Sequence, residues 1–313
     1  MVFFSTIVPV YNRAELIKYT LDSILDRQEE DTEIIVVDDG STDGTLKTLE
    51  SYGNKIKVFK QKNKGPGAAR NLGISYATGK YITFIDSDDL WFSWTLSTYK
   101  EAIIKNNFPA FIAGESILFS SEKEVRSIKC FSLTLQFFDD YYSSSKQSLW
   151  LLPGAVAIKA DILREAKGFT NKWINGEDSE LWLRLGTAEG FVKIQSPPVL
   201  AYRQHLNSAV ANNSKTYEGT WYMIQQEKKG LYPGGKLWLT ERLRILTRHV
   251  RPVSITCLNT GDFKKAWQLY KETFFWNLKL YRFRYLIAFL ILFMMALLKK
   301  YRCDSLRFIT KIT

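Results

Sequence analysis

Three carboxylates fall within four residues at Asp86-Ser87-Asp88-Asp89, directly after the apolar run Tyr81-Ile82-Thr83-Phe84-Ile85. The run reads as a buried strand. An unpaired charge next to such a strand is costly, so something positive is expected there. Asp86 and Asp88, one residue apart at a strand's carboxyl end, suit a divalent cation that is also held by phosphate oxygens. Asp88 is the best ligand of the set. Asp86 is expected to reach a ribose or a metal-bound water, and Asp89 to act as a second ligand or a helix cap. The plain alternative is a solvated turn capping Leu90 onward. A second acidic strand end, Ile34-Ile35-Val36-Val37-Asp38-Asp39-Gly40-Ser41, lies upstream. Two such ends in one α/β domain point to a nucleotide-diphosphate site above a parallel sheet.

Other motifs are weighed against simpler roles. Asp38-Asp39 either supplies a carboxylate to a base N–H or serves only the turn that follows. Gly65-Pro66-Gly67-Ala68-Ala69-Arg70 nearly matches a dinucleotide fingerprint, but Arg70 stands where the third glycine belongs. Arg70 near a helix start would hold a diphosphate, or else pair with one of the aspartates. The segment Gly73 to Lys80 mimics a phosphate-binding loop but has one intervening residue too many, and Tyr81 replaces the Ser or Thr. Glu177-Asp178 opens a helix, where capping explains one acidic residue better than two. The other is a candidate general base, away from the metal pair. His205, after Tyr202-Arg203-Gln204, is a candidate for a metal or diphosphate role, or a structural histidine. His249, in a basic helix, is read as structural.

These residues need a scaffold, and the first hundred positions supply one. Strands are predicted at Phe3–Val10, Glu33–Asp38, Ile56–Lys60 and Tyr81–Ile85. Helices between them carry Leu16, Ile17, Leu21, Ile24 and Leu25, then Leu46 and Leu49, then Ala68–Ala77. The alternation predicts a parallel sheet covered by helices. Phe3–Val10 reads as the first strand and not as a leader, being short and ending at Pro9. Further on, strands are expected at Phe111–Phe119 and Gly154–Lys159, and helices at Ile162–Lys167 and Ser179–Leu185. Pro197-Pro198 is expected to break the chain before a short strand Val199–Arg203. Phe131–Ser148, aromatic and serine-rich, matches neither pattern. No internal repeat is found.

The chain has 313 residues and a net charge of +11. Residues 241–313 hold 15 Lys and Arg against 4 Asp and Glu, and the remainder is balanced. A basic nucleic-acid groove in the main domain is therefore excluded, and a contact between the tail and an anionic surface is favoured. Cys130, Cys257 and Cys303 have no metal or disulfide spacing, which suits a reducing compartment. After residue 206 the chain reads as basic helices at Leu237–Val250 and Phe263–Leu280. Tyr285–Leu298 is continuously apolar and flanked by Arg282, Arg284, Lys299, Lys300 and Arg302. Its 14 residues give about 21 Å of helix, short of a hydrocarbon core of about 30 Å. Shallow or re-entrant membrane docking helped by Trp276, burial among the tail helices or in a homodimer interface, and a stretched span with snorkelling arginines are the three readings.

Taken together, the motifs resemble family 2 glycosyltransferases of the GT-A fold over about residues 3–208. The matching pieces are Ile7-Val8-Pro9-Val10-Tyr11-Asn12, Val36-Val37-Asp38-Asp39-Gly40-Ser41-Thr42-Asp43, Gly65-Pro66-Gly67-Ala68-Ala69-Arg70-Asn71, Asp86-Ser87-Asp88-Asp89, Gly176-Glu177-Asp178 with Trp182 and Arg184, and Tyr202-Arg203-Gln204-His205. The resemblance implies an α/β GT-A, Rossmann-like, mainly parallel mixed sheet flanked by helices. The catalytic domain would be 1–208, with a connection at 209–240 and a basic helical extension at 241–313. It implies that Pro9, Tyr11, Asn12, Asp39, Arg70, Asp86 and Ser87 serve the donor, and that Asp88 and His205 hold Mn²⁺ or Mg²⁺. Asp178 would be the base, with Asp89, Glu177, Trp182, Arg184 and Arg203 in support. The expected reaction is metal-dependent, inverting transfer from a nucleotide-diphosphate sugar to a glycan or lipid-linked hydroxyl. The expected location is the cytoplasmic membrane face. The rivals are a nucleotidyltransferase and a non-catalytic nucleotide-sugar-binding protein docked to a membrane.

Overall fold

The computed structural model describes residues 1–26, 31–204 and 213–309; the side chains of residues 126 and 301–309 are not described. Two compact units are present, Met1–Trp173 with Glu177–Ser208, and Ile174–Gly176 with Ala209–Thr313.

The first unit is a mixed sheet flanked by helices. Its elements run β1 (Phe4–Val10), α1 (Leu16–Leu25), β2 (Thr32–Asp38), α2 (Thr45–Glu50), β3 (Lys57–Lys60), α3 (Pro66–Tyr76), β4 (Tyr81–Phe84), β5 (Leu90–Trp91), α4 (Thr95–Lys105), β6 (Phe111–Phe119), α5 (Glu122–Ser127), β7 (Thr134–Phe138), β8 (Val156–Lys159), α6 (Ala160–Glu165), α7 (Glu177–Arg184) and β9 (Phe191–Arg203). The sheet order is β3-β2-β1-β4-β8-β6-β9-β5, with β7 on β9. The first four strands in that order are parallel, and β8 is antiparallel to β4. β1, β2 and β4 are buried along their whole length, which is why they read as largely apolar segments rather than strictly alternating ones. Ile17, Leu21 and Ile24 of α1 and Tyr99 and Ile103 of α4 pack into the same core as Val8, Ile34 and Val36.

α3 lies tight against β1 because Gly73 has no side chain; a Cβ there would stand 2.5 Å from Ile7 Cγ2. At the amino end of the sheet, Glu33 accepts from Ser5 Oγ (2.6 Å), Lys57 Nζ (2.7 Å), and Thr78 N (2.6 Å) and Oγ1 (2.8 Å). Burial raises its pKa, but the four donors outweigh burial and hold it at about 2. β3 is the outermost described strand on its side, four residues long, with exposed Lys57 and Lys60 at its ends.

One expectation needs correction, and one segment that matched no pattern gains an assignment. Pro197-Pro198 does not break the chain: β9 runs through both residues, with a cis bond at Ser196-Pro197. The prolines fall where the β6 partner register slips between Ala113 and Ser116, and an irregular ladder tolerates missing N–H donors. The segment 131–148 contains a strand, β7, paired antiparallel with β9.

The second unit holds α8 (Asn213–Lys228), α9 (Leu239–Asn259), α10 (Phe263–Lys279) and α11 (Phe283–Ile309). Ile224, Val250, Leu258, Leu269, Tyr270 and Phe289 form its core. Glu227 and Arg242 make a buried bidentate pair at 2.7 and 3.0 Å between α8 and α9. α11 buries Leu286 and Phe289 and half-buries Phe293 and Ala296, a stripe at helical spacing. Its other faces leave Phe283, Ile287, Ile291, Met294, Met295 and Leu298 exposed. Packing against the other helices therefore accounts for one stripe of the apolar run and not for the rest. Among the described residues, no helix is long and apolar enough to cross a membrane.

Candidate active site

Parallel strands deliver their carboxyl ends to one edge of a sheet. Here that edge carries Val10 at the end of β1 and Asn12 after it, Asp38 and Asp39 at β2, and Asp86 to Asp89 after β4. The start of α3 is the meeting point. Asp39 is buried, and its carboxylate accepts from Gln61 Nε2 (2.6 Å), Lys64 N (2.9 Å) and Gly65 N (2.8 Å), which fixes the loop leading into α3. Gly65 has φ +89°, a conformation that side chains resist, and a Cβ there would lie 2.9 Å from Trp173 Cδ1. Trp173 is half exposed above this turn (51%).

From the second turn of α3, Arg70 points into the protein and is only 4% exposed. Its Nη2 donates to Asp86 Oδ1 at 2.6 Å and its Nη1 to Glu177 Oε1 at 3.0 Å. Burial lowers its pKa, but the charges of Asp86, Glu177 and Asp178 outweigh burial and raise it. Arg70 makes the ion pair with an aspartate that one of its sequence readings expects, and its second partner, Glu177, lies 107 positions away in sequence. Arg70 thus links the end of β4 to the start of α7.

Asp178 follows Glu177 in the first turn of α7, where free amide groups favour negative charge. Its Oδ1 accepts from Ser179 N at 2.6 Å. Burial, then the neighbouring Glu177 charge, pushes its pKa up, and the Ser179 amide and Arg70 pull it back, to about 7. A carboxylate tuned to that value suits proton abstraction at neutral pH.

Asp88 Oδ2 lies 3.4 Å from Arg13 Nε, a residue the motif reading passed over because its partner is 75 positions distant. Asp89 is buried. Burial, then Asp86, pushes its pKa well up, against the amide of Arg203 at 2.9 Å. Arg203 Nε donates to Asp88 O (2.7 Å) and its Nη1 to Glu122 Oε1 (2.8 Å), so it braces the acidic turn from β9. Ser87 is buried and Asn12 adopts a positive φ, its Oδ1 accepting from Thr42 N at 2.8 Å. Tyr11 is exposed beside it, and Pro9 sits within buried β1.

Two supporting candidates have structural surroundings instead. Arg184 binds Glu180, Ala166 O and Gly168 O, and Trp182 is buried with its Nε1 3.4 Å from Leu151 O. His205 lies outside the described residues.

A divalent cation is tested by the donor set. Asp86 and Asp88 offer hard oxygen ligands at one strand end, the chemistry Mn²⁺ and Mg²⁺ prefer. Among the described residues, no group of three or more His, Cys, Asp or Glu could hold an ion by itself. Asp86 and Asp88 alone would leave most of such a cation's coordination to other oxygens.

Residues 5–129 match the family described as glycosyl transferase family 2. An uncharacterized glycosyltransferase of Rickettsia bellii is 31% identical over 185 residues, 58% of this chain and 26% of the relative, so this chain spans about a quarter of that protein. The putative teichuronic acid biosynthesis glycosyltransferase TuaG of Bacillus subtilis is 29% identical over 71% of this chain and 87% of its own length. The crystal structure of S. aureus TarS 1-349 in complex with UDP-GlcNAc superposes with a TM-score of 0.64 at 20% identity, covering 80% of this chain and 72% of that one. That likeness shows the fold.

Proposed function

Residues 5–129 carry the glycosyl transferase family 2 pattern, and on that premise we propose that this chain moves a glycosyl group from a nucleotide-diphosphate sugar to an acceptor hydroxyl, with inversion, in polysaccharide or glycolipid assembly. The observation that carries the reading is the Arg70 bridge. It ties Asp86, on the acidic turn, to Glu177, the neighbour of Asp178, inside one unit.

Asp39, Asn12, Tyr11 and Pro9 would receive the nucleoside, on the edge where β1 and β2 end. Asp86 and Asp88 would hold a divalent cation, which when bound supplies positive charge to the diphosphate oxygens. Arg13, 3.4 Å from Asp88, would turn toward the same phosphates. Asp178 takes the proton of the acceptor hydroxyl as its oxygen bonds to the anomeric carbon. The bond from that carbon to the diphosphate breaks on the opposite side, and its electron pair leaves with the phosphate oxygen. One displacement of this kind inverts the anomeric centre.

The exposed faces of α11 and the cations at its ends support docking on an anionic bilayer, close to a lipid-linked acceptor. A second copy is the weaker occupant, because both partners would bring the same strongly basic unit. Product analysis tests the central claim. Release of nucleoside diphosphate, with turnover cut by about 10²–10⁴ in Asp178→Asn, is expected. Release of pyrophosphate would identify nucleotidyl transfer, and near-normal turnover in Asp178→Asn would remove the base.

A further inference from the structure

The helical unit carries positive charge that its own carboxylates do not balance: residues 213–300 hold 16 Lys and Arg against 5 Asp and Glu. Four of the arginines converge. Arg244, Arg248 and Arg251 recur at i, i+4 and i+7 along α9 and so share a face. Arg282, at the turn into α11, donates from Nη1 to Thr247 Oγ1 and from Nη2 to Arg244 O at 3.4 Å. Arg251 Nε donates to Thr247 O at 3.0 Å. Two guanidinium groups therefore meet on one buried threonine. Glu241 pairs with Arg244 at 3.0 Å, but among the described residues neither Arg251 nor Arg282 has a carboxylate within ion-pair distance.

Burial, and then the charges of Arg251, Arg248 and Arg244, hold the Arg282 pKa down to about 10, which still leaves it cationic at neutral pH. His249, next along α9, is held down to about 4 by burial and Arg248, so it adds no charge. Cations crowded together and partly removed from water call for an anion between them. Guanidinium groups are matched to phosphate oxygens.

We propose that Arg244, Arg248, Arg251 and Arg282 form a binding site for the phosphate or diphosphate group of a lipid. The lipid source follows from position, since Arg282 immediately precedes the exposed apolar residues Phe283, Ile287 and Ile291. A molecule with an anionic head and hydrocarbon tail matches that sequence of surfaces. The inference deepens the membrane reading and rests on it only for the source of the anion.

The test uses the full chain, with inorganic diphosphate in thermal shift and with phosphatidylcholine vesicles, with and without phosphatidylglycerol, in sedimentation. R251Q/R282Q is compared with R284Q/K299Q, which removes two charges outside the cluster, and with the milder R251Q in case the double variant fails to fold. At least a tenfold loss of phosphatidylglycerol-vesicle binding is expected in R251Q/R282Q, with an intermediate loss in R251Q and a lesser one in the control. The thermal shift of wild type by diphosphate should also shrink in the cluster variants. Equal losses in cluster and control variants would overturn the site. A cluster-dependent diphosphate shift without vesicle binding would overturn the lipid source while leaving the transferase reading untouched. D88N, which alters only the donor site, should retain vesicle binding.

Discussion

Arg70 Nη2 stands 2.6 Å from Asp86 Oδ1, and the same guanidinium reaches Glu177 at 3.0 Å. Removing one partner of a buried pair leaves charges uncompensated, at a cost of about 3–5 kcal/mol. Arg70→Met should lower stability by that order, with a matching fall in Tm, and remove transfer. Arg70→Lys should recover part of the stability, since one ammonium cannot hold both carboxylates at these distances. Calorimetry and initial rates on both variants check this; a wild-type Tm in Arg70→Met would mean that the bridge carries no weight.

Asp178 must be ionised to accept a proton, so kcat/KM should rise with pH through about 7 and then level off. Asp178→Asn should lose about 10²–10⁴ in rate with nucleotide affinity unchanged. The sign for stability is opposite. A carboxyl raised from 3.8 to about 7 gives its full stability below 3.8 and loses it as pH rises to about 7. The Tm advantage of Asp178→Asn over wild type should therefore open across that window. Parallel pH–rate and pH–Tm series measure both, and a flat rate profile would contradict the assignment.

Asp88→Asn should weaken nucleoside-diphosphate binding in Mn²⁺ by about tenfold or more, each tenfold being about 1.4 kcal/mol. Chelation of Mn²⁺ should bring wild type down to the variant's level. Titration calorimetry with and without chelator checks this; equal affinities throughout would show that Asp88 holds no cation.

Glu33 lies at the amino end of the sheet, away from the donor edge, so Glu33→Gln should leave kcat and KM unchanged. It should cost about 1.5–3 kcal/mol at neutral pH through weakened charged hydrogen bonds. The depressed pKa fixes the pH sense: this stability is present above 4.5 and lost as pH falls toward about 2. The Tm gap should close on acidification, and a gap independent of pH would refute the charge argument.

Ile291→Glu with Met294→Glu places two charges on the exposed part of α11. Sedimentation with phosphatidylglycerol vesicles should fall sharply while Tm changes little. Unchanged binding would show that another surface meets the bilayer.

Much of this carboxyl edge of the sheet was legible in the sequence because β2 and β4 are fully buried and the aspartates at their ends stand out against apolar neighbours. Residues paired over long separations were not. Arg13 and Asp88 meet only after the sheet has formed, and Glu177 gives no sign in sequence of reaching Arg70. Trp173 was passed over for the same reason, since its place above Gly65 depends on a tertiary approach. β7 was hidden because it is only partly buried, without a continuous apolar run. Pro197-Pro198 misled because an irregular ladder removes the usual penalty for proline.

The outermost strand β3 is short, and a lysine marks each of its ends. A sheet edge with open backbone groups invites a neighbouring chain to add a strand, the first step toward fibrils. Crowding on a bilayer would make such encounters frequent. Lys57 and Lys60 meet any second copy with like charge, and Glu33 keeps Lys57 anchored, so one ion pair both steadies the fold and guards it against lateral aggregation.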